Sequence, residues 1–137
     1  MLPKILKPVS CKDLVRVGAN HDGGYVISKK IINNTETILT FGLADEFSFE
    51  VNFKALKKDL LIYAFDHTVT KTYWFKHFFK WSWWALRYRK SMGRAFTFLN
   101  YKNFFDNKNK FHLEKKIVPN KEIDLKSTSI SQIISKY

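Results

Sequence analysis

Thr37-Ile-Leu-Thr-Phe-Gly-Leu-Ala-Asp45 and, further on, Leu60-Leu-Ile-Tyr-Ala-Phe-Asp66 are the stretches that decide the fold of this chain. Each is a short, nearly continuous apolar run closed by turn formers or an acid, the pattern of a strand covered on both faces. Between them Asp45–Asp59 reads as a helix, because Phe49, Phe53 and Leu56 recur at i, i+4 and i+7 while Lys54, Lys57 and Lys58 lie off that stripe. Asp45, Glu46 and Glu50 at its start and the lysines at its end follow the order the helix dipole favours. Strand, tight turn, helix, strand and acid make a βαβ unit, whose crossover is right-handed in nearly all cases. The fold class expected is α/β, with a mostly parallel sheet.

Working outward, Leu14–Val17 and Tyr25–Ile27 are β-like runs on either side of Gly18-Ala-Asn-His-Asp-Gly-Gly24, a segment dense in turn formers. They predict a hairpin or a strand–loop–strand segment, and Asn33–Thr35 predicts a second turn. Downstream, Thr70–Tyr101 holds twelve of the chain's 23 aromatic residues and no Asp or Glu. Here Tyr73–Lys90 reads as a helix and Phe96–Phe105 as another, with a break near Gly93. Phe111–Val118 is a candidate third strand, Pro119–Lys126 a loop, and Ser127–Lys136 a short helix capped by Ser127 or Ser129. The organisation expected is one domain of four segments: residues 1–36, 37–69, 70–106 and 107–137.

The chain has 137 residues, 45% of them apolar, which suits a single packed domain and excludes a disordered one. A lone cysteine, Cys11, excludes an intrachain disulfide framework and a cysteine-rich zinc site, and fits a reducing compartment. Met1–Ser10 is short, holds two prolines and lacks the apolar run of a signal peptide. No stretch is long and apolar enough to predict a transmembrane helix. The expected location is cytoplasmic, with peripheral attachment to a membrane as an option, and the Asn33-Asn34-Thr35 sequon reads as a surface loop. The net charge of +12 is uneven: residues 1–66 carry nine basic and eight acidic side chains, residues 67–137 fifteen and four. The second half would steer an anionic partner such as a glycan phosphate, a nucleic acid or a membrane surface, unless it is only a solvated lysine-rich face.

The chemistry concentrates at the end of the first βαβ strand. A turn that receives a nucleotide cofactor needs small residues so that the backbone can approach it, and Gly42 and Ala44 supply them. Asp66 ends the second strand at about the spacing from Gly42 at which an acid in such folds binds ribose hydroxyls. Asp45 and Glu46 would repel a pyrophosphate, which favours a cofactor that is cationic at its reactive centre, S-adenosylmethionine over NAD. His21, His67, His77 and His112 are scattered without metal-ligand spacing, so no metal is expected and each reads as surface or core.

Arg16-Val-Gly-Ala-Asn-His-Asp-Gly-Gly-Tyr-Val26, Thr40-Phe-Gly-Leu-Ala-Asp-Glu-Phe-Ser-Phe-Glu50 and Tyr63-Ala-Phe-Asp-His-Thr68 together resemble the FkbM-type methyltransferases, in the branch with an R-x-G-x-x-x-D-G-G-Y-V signature. The resemblance covers residues 13–68 well and continues loosely through Tyr101–Ile134. It implies a Rossmann-like sheet, S-adenosylmethionine as cofactor, and methyl transfer to a hydroxyl of a sugar or another small molecule. Carried over, it implies that Gly42, Ala44 and Asp45 line the cofactor turn, that Asp66 binds the ribose, and that Ser48 and Phe49 face the pocket or its base. Arg16, Asp22, Gly23, Gly24 and Tyr25 form the N-terminal signature; His67 follows the ribose acid and is a further pocket candidate. No catalytic residue is identified. The family's next acidic D-I-E-G-x-E-like strand has no counterpart before Tyr137, so the expectation is an incomplete sheet, completed by further chain, by a second copy or by a partner chain, and low activity of this chain alone.

Phe75-Lys-His-Phe-Phe-Lys-Trp-Ser-Trp-Trp-Ala-Leu-Arg-Tyr-Arg-Lys90 admits three readings. A helix after the second strand has to cover a sheet face, which favours a core role. Contact of residues 73–90 with a membrane surface or a lipid-linked substrate ranks second, and stacking on nucleic-acid bases last. The rival to a methyltransferase is thus a non-catalytic basic, aromatic binding module for a membrane surface or a nucleic acid.

Overall fold

The computed structural model describes Pro3 and residues 10–89, 91–106 and 108–137. Lys90, the expected last residue of the long helix, lies outside the described residues, as does most of the expected segment before residue 10.

Strands β1 (Leu14–Val17) and β2 (Tyr25–Ser28) form the expected antiparallel hairpin, with Leu14 opposite Ser28 and Val17 opposite Tyr25. A helix the sequence reading did not contain, α1 (Lys29–Asn34), follows at once. Its start is fixed by Ser28, whose hydroxyl accepts from the Lys30 amide and donates to the Asp13 carboxylate across the hairpin. The expected turn at Asn33–Thr35 is the end of this helix.

The centre of the molecule is a parallel three-stranded sheet in the order β3 (Thr37–Phe41), β4 (Leu61–Phe65), β5 (Lys110–Leu113). The α/β class with a parallel sheet is therefore as expected. Helix α2 (Ser48–Leu56) connects β3 to β4 and is shorter than the 45–59 span read from its stripe. Residues 42–47 are drawn into a turn instead, so Glu50 alone is acidic in the first helical turn, with Lys54 in the last. Helix α3 (Lys71–Tyr88) is capped by the Thr70 hydroxyl, which accepts from the Tyr73 amide at 3.3 Å. A 3-10 turn, Met92–Phe96, supplies the break expected near Gly93, and α4 (Thr97–Phe105) leads back to the sheet.

The expected strand at 111–118 is divided. A tight turn in which the Lys115 amide donates to the Leu113 carbonyl ends β5. The chain resumes as β6 (Lys116–Ile117), paired in parallel with β7 (Ser127–Thr128) in a separate small sheet. Ser127 is thus in a strand, and Ser129 caps α5 (Ile130–Lys136) by accepting from the Gln132 amide.

Strand β4 organises the packing, since its alternate residues face opposite ways. Ile62, with Leu60 just before the strand, joins Val17, Ile32 and Phe53 in one buried cluster; Ala64 joins Leu43, Phe47 and Val69 in another. Phe104 of α4 packs against both clusters. On the opposite face Tyr63 stacks on Phe111 at 5.1 Å and meets Tyr137 at 4.1 Å. Among the described residues, no strand pairs with the outer edge of β3.

Candidate functional site

After Phe41 the chain reverses sharply. Gly42 takes φ +77° and Ala44 φ +47°, and the left-handed conformation costs a residue with a Cβ about 1–2 kcal/mol. Asp66, at the tip of the neighbouring strand, holds this turn. Its Oδ2 accepts from the amides of Leu43 (2.7 Å) and Ala44 (3.2 Å), and its Oδ1 from the amide (2.8 Å) and hydroxyl (2.6 Å) of Thr68. A carboxylate offers about four lone-pair sites, so these donors occupy the group, and Asp66 is only 6% exposed. Burial works against its charge, but the donors from Thr68, Ala44 and Leu43 outweigh it and hold the carboxyl below the usual carboxylate range. The ribose role expected of Asp66 is not what this geometry offers: the carboxylate braces the turn from behind.

The N-terminal signature forms a loop pinned to itself. Arg16 Nη2 and Nε donate to the Ala19 carbonyl at 2.8 and 3.0 Å, closing residues 16–19. Gly18 has φ +96°, and a Cβ there would lie 2.0 Å from the Gly23 carbonyl oxygen; one on Gly24 would lie 1.8 Å from that of Ala19. Arg16 and Gly24 are therefore structural, each fixing the close return of the chain. Asp22 accepts from the Gly23 amide at 2.9 Å. Ser48 faces this loop, where its hydroxyl accepts from the Ala19 amide at 2.8 Å. It ties the signature to the start of α2.

Hairpin, turn and helix enclose a cleft of about 630 Å³ at the C-terminal end of β3. Gly42, Ala44, Asp45 and Phe49 line it, with Asp22, Gly23 and Tyr25 from the signature. Tyr25 packs edge-on against Phe49 at 5.1 Å. A Cβ on Gly42 would meet nothing within 4 Å, so that backbone is open to a ligand. The cleft also holds Glu46 and Glu50 but no Lys or Arg. Glu50 is 5% exposed, and burial raises its carboxyl above the usual range, with the Glu46 charge adding to this. Sequence reading had used Glu50 only as a helix-dipole acid. The signal was its place beside the Phe49–Phe53 stripe, which turns it inward.

Two histidines are also part of the architecture. His77 of α3 is buried, and its Nε2 lies 3.1 Å from Asp45 Oδ2, which fastens the long helix to the turn. Trp74 and Trp81, three residues before and four after, pack near its ring. Burial, aided by Asp45 and Asp66, pushes the neighbouring Tyr73 hydroxyl up to about 12, so it stays protonated. His112 of β5 places Nε2 at 2.9 Å from the Asp66 carbonyl and Nδ1 against the Tyr101 hydroxyl. A carbonyl only accepts, so Nε2 carries the proton and Tyr101 donates to Nδ1. Burial raises the Tyr101 pKa, which keeps that donor protonated. His67 is not brought to the cleft; it lines a separate depression with Glu114 and Lys116. Among the described residues, no group of three or more His, Cys, Asp or Glu side chains could hold a metal ion.

Comparison with family models, curated proteins and solved structures returns no significant match to this chain.

Proposed function

We propose that the cleft beside Gly42 binds S-adenosylmethionine, and that the chain is the cofactor-binding part of an FkbM-type methyltransferase acting on a hydroxyl of a sugar or another small molecule. The observation that carries this reading is the charge of the cleft: the carboxyl groups of Asp22, Glu46 and Glu50, with Asp45 also lining it while bonded to His77, and no Lys or Arg. Such a wall repels a pyrophosphate and favours a ligand whose sulfonium and ammonium outweigh its carboxylate. The position agrees, since ligands of parallel α/β sheets bind outside the carboxyl ends of the strands. The open backbone of Gly42 agrees as well. Asp66 enters the proposal as a positioning residue that sets the turn, with the ribose read by cleft residues. Methyl transfer is mainly a matter of alignment, so no acid–base triad is required of this chain. Among the described residues no strand pairs with the outer edge of β3, and a second copy or a partner chain seated there is part of the same proposal.

Calorimetry with S-adenosylhomocysteine tests it. The wild-type protein should bind, and Gly42→Ala should weaken binding by roughly tenfold or more while remaining folded, because the added methyl group projects into the cleft. A folded wild-type protein that gives no heat at ~1 mM ligand, the weak end of measurable affinity, rules the reading out.

A further inference from the structure

The outward face of α3 is apolar. Phe75, Phe79, Trp83 and Leu86 recur at i, i+4, i+8 and i+11, which places them in one line along the helix. They are 66%, 55%, 59% and 79% exposed. The inward face is different: His77 and Ala85 are buried, and Trp74 packs on Tyr101 at 4.8 Å. The helix has therefore satisfied its core contacts and presents a second apolar stripe to solvent. Monomeric proteins seldom expose contiguous apolar surface of this kind without a partner for it.

Charge identifies the partner. Lys76, Lys80 and Arg87 run along one shoulder of the ridge, all exposed, and Lys71 stands at its start. From residue 67 to residue 105 there is no Asp or Glu at all. A second copy of this face would bring like charges together. Nucleic acid would satisfy the cations and has no hydrocarbon for Leu86, the most exposed member of the ridge. No described helix is long and apolar enough to cross a membrane, and α3 is about 27 Å long from its 18 residues. A helix with apolar ridge and cationic shoulder lies in the plane of a bilayer, rings among the acyl chains and cations at the headgroups. We infer that the Phe75–Leu86 ridge of α3 docks on an anionic lipid surface, lying flat upon it.

Vesicle co-sedimentation tests this without reference to the cleft. The folded chain should partition onto vesicles containing about one-third phosphatidylserine and far less onto pure phosphatidylcholine, with binding weakened by salt. Replacing the rings together, Phe75→Ser, Phe79→Ser and Trp83→Ser, should reduce partition roughly tenfold or more. Replacing the charges, Lys76→Gln, Lys80→Gln and Arg87→Gln, should reduce it on the order of a hundredfold on the phosphatidylserine vesicles. Circular dichroism unchanged from wild type in both variants is the check that they are folded. The inference is overturned if the wild-type protein ignores phosphatidylserine vesicles, or if the ring variant binds them as well as wild type. It is equally overturned if the wild-type chain sediments as a dimer that the ring variant converts to a monomer, since the ridge would then belong to a second copy.

Discussion

Residues 14–66 and residues 71–105 solve the same problem, ordering a chain, by different means. In the first region the turns beside the cleft have polar clasps: Arg16 on the Ala19 carbonyl, Ser48 on the Ala19 amide, Asp66 on the amides of Leu43 and Ala44. In the second, rings meet rings at many angles, from the tilted 4.6 Å pair Phe75–Phe79 to the perpendicular Phe78–Phe98. Among the described residues, three of the four buried polar side-chain atoms without a hydrogen-bond partner lie there, Trp74 Nε1, His77 Nδ1 and Ser82 Oγ, against Thr40 Oγ1 alone in the first region. Directed bonds specify one backbone path, whereas ring packing fills volume and tolerates several. The region that encloses the cleft is built mainly the first way, and the region that carries the exposed ridge mainly the second.

Three substitutions bear on that contrast. Ile62→Ala removes a fully buried side chain from the central strand and should lower unfolding free energy by about 2–5 kcal/mol in denaturant titration; a loss well under this would mean that the sheet is not the stabilising centre. Asp66→Ala leaves buried amides unpaired and should cost about 1–3 kcal/mol near neutral pH. Its effect should depend on pH in a definite direction. The folded-state carboxyl of Asp66 lies below its ordinary value, so its contribution is complete above the ordinary carboxylate pKa and disappears as pH falls through the folded value. The gap between wild type and variant should close in acid. Glu50, whose pKa is raised, acts in the opposite sense but is common to both proteins and cancels in the difference. A gap constant with pH would show that Asp66 is not the charged clamp. Trp83→Ser, on the exposed ridge, should change stability by less than ~0.5 kcal/mol despite removing a large ring. A larger loss would mean that the ridge is packed in solution and that the two regions are not built so differently.

The fold was legible where one local signal sufficed. The apolar runs of β3 and β4, the hairpin around Gly18–Gly24 and the long helix, read over 73–90 and found at Lys71–Tyr88, were all readable from periodicity and turn chemistry. Helix α1 was not, because Lys29–Asn34 is too short for a period and depends on Ser28 and Asp13 to start it. The division of the 111–118 strand depended on a partner, Ser127–Thr128, that no local window contains. Within the site, the turn at Gly42 and Ala44 and the acids Asp45 and Glu46 beside it could be read, while the burial of Glu50 and the use made of Asp66 could not. Asp66 sits at the spacing of a ribose ligand, and only the fold reveals that Leu43, Ala44 and Thr68 already occupy its oxygens. His77 did carry a signal, since Trp74 and Trp81 share its helical face; His112 carried none before β5 was paired.

Asp66 has one further consequence. Its side chain holds the Leu43–Ala44 turn, while its main-chain carbonyl accepts from His112, which Tyr101 in turn supports. One residue thereby joins the floor of the cleft to the pairing of β4 with β5 and to α4. The shape of the turn and the contact that closes the sheet therefore rest on one residue, through its side chain and its carbonyl. On the proposed reading, a ligand entering this cleft would meet a floor whose shape is set by the sheet rather than by the ligand.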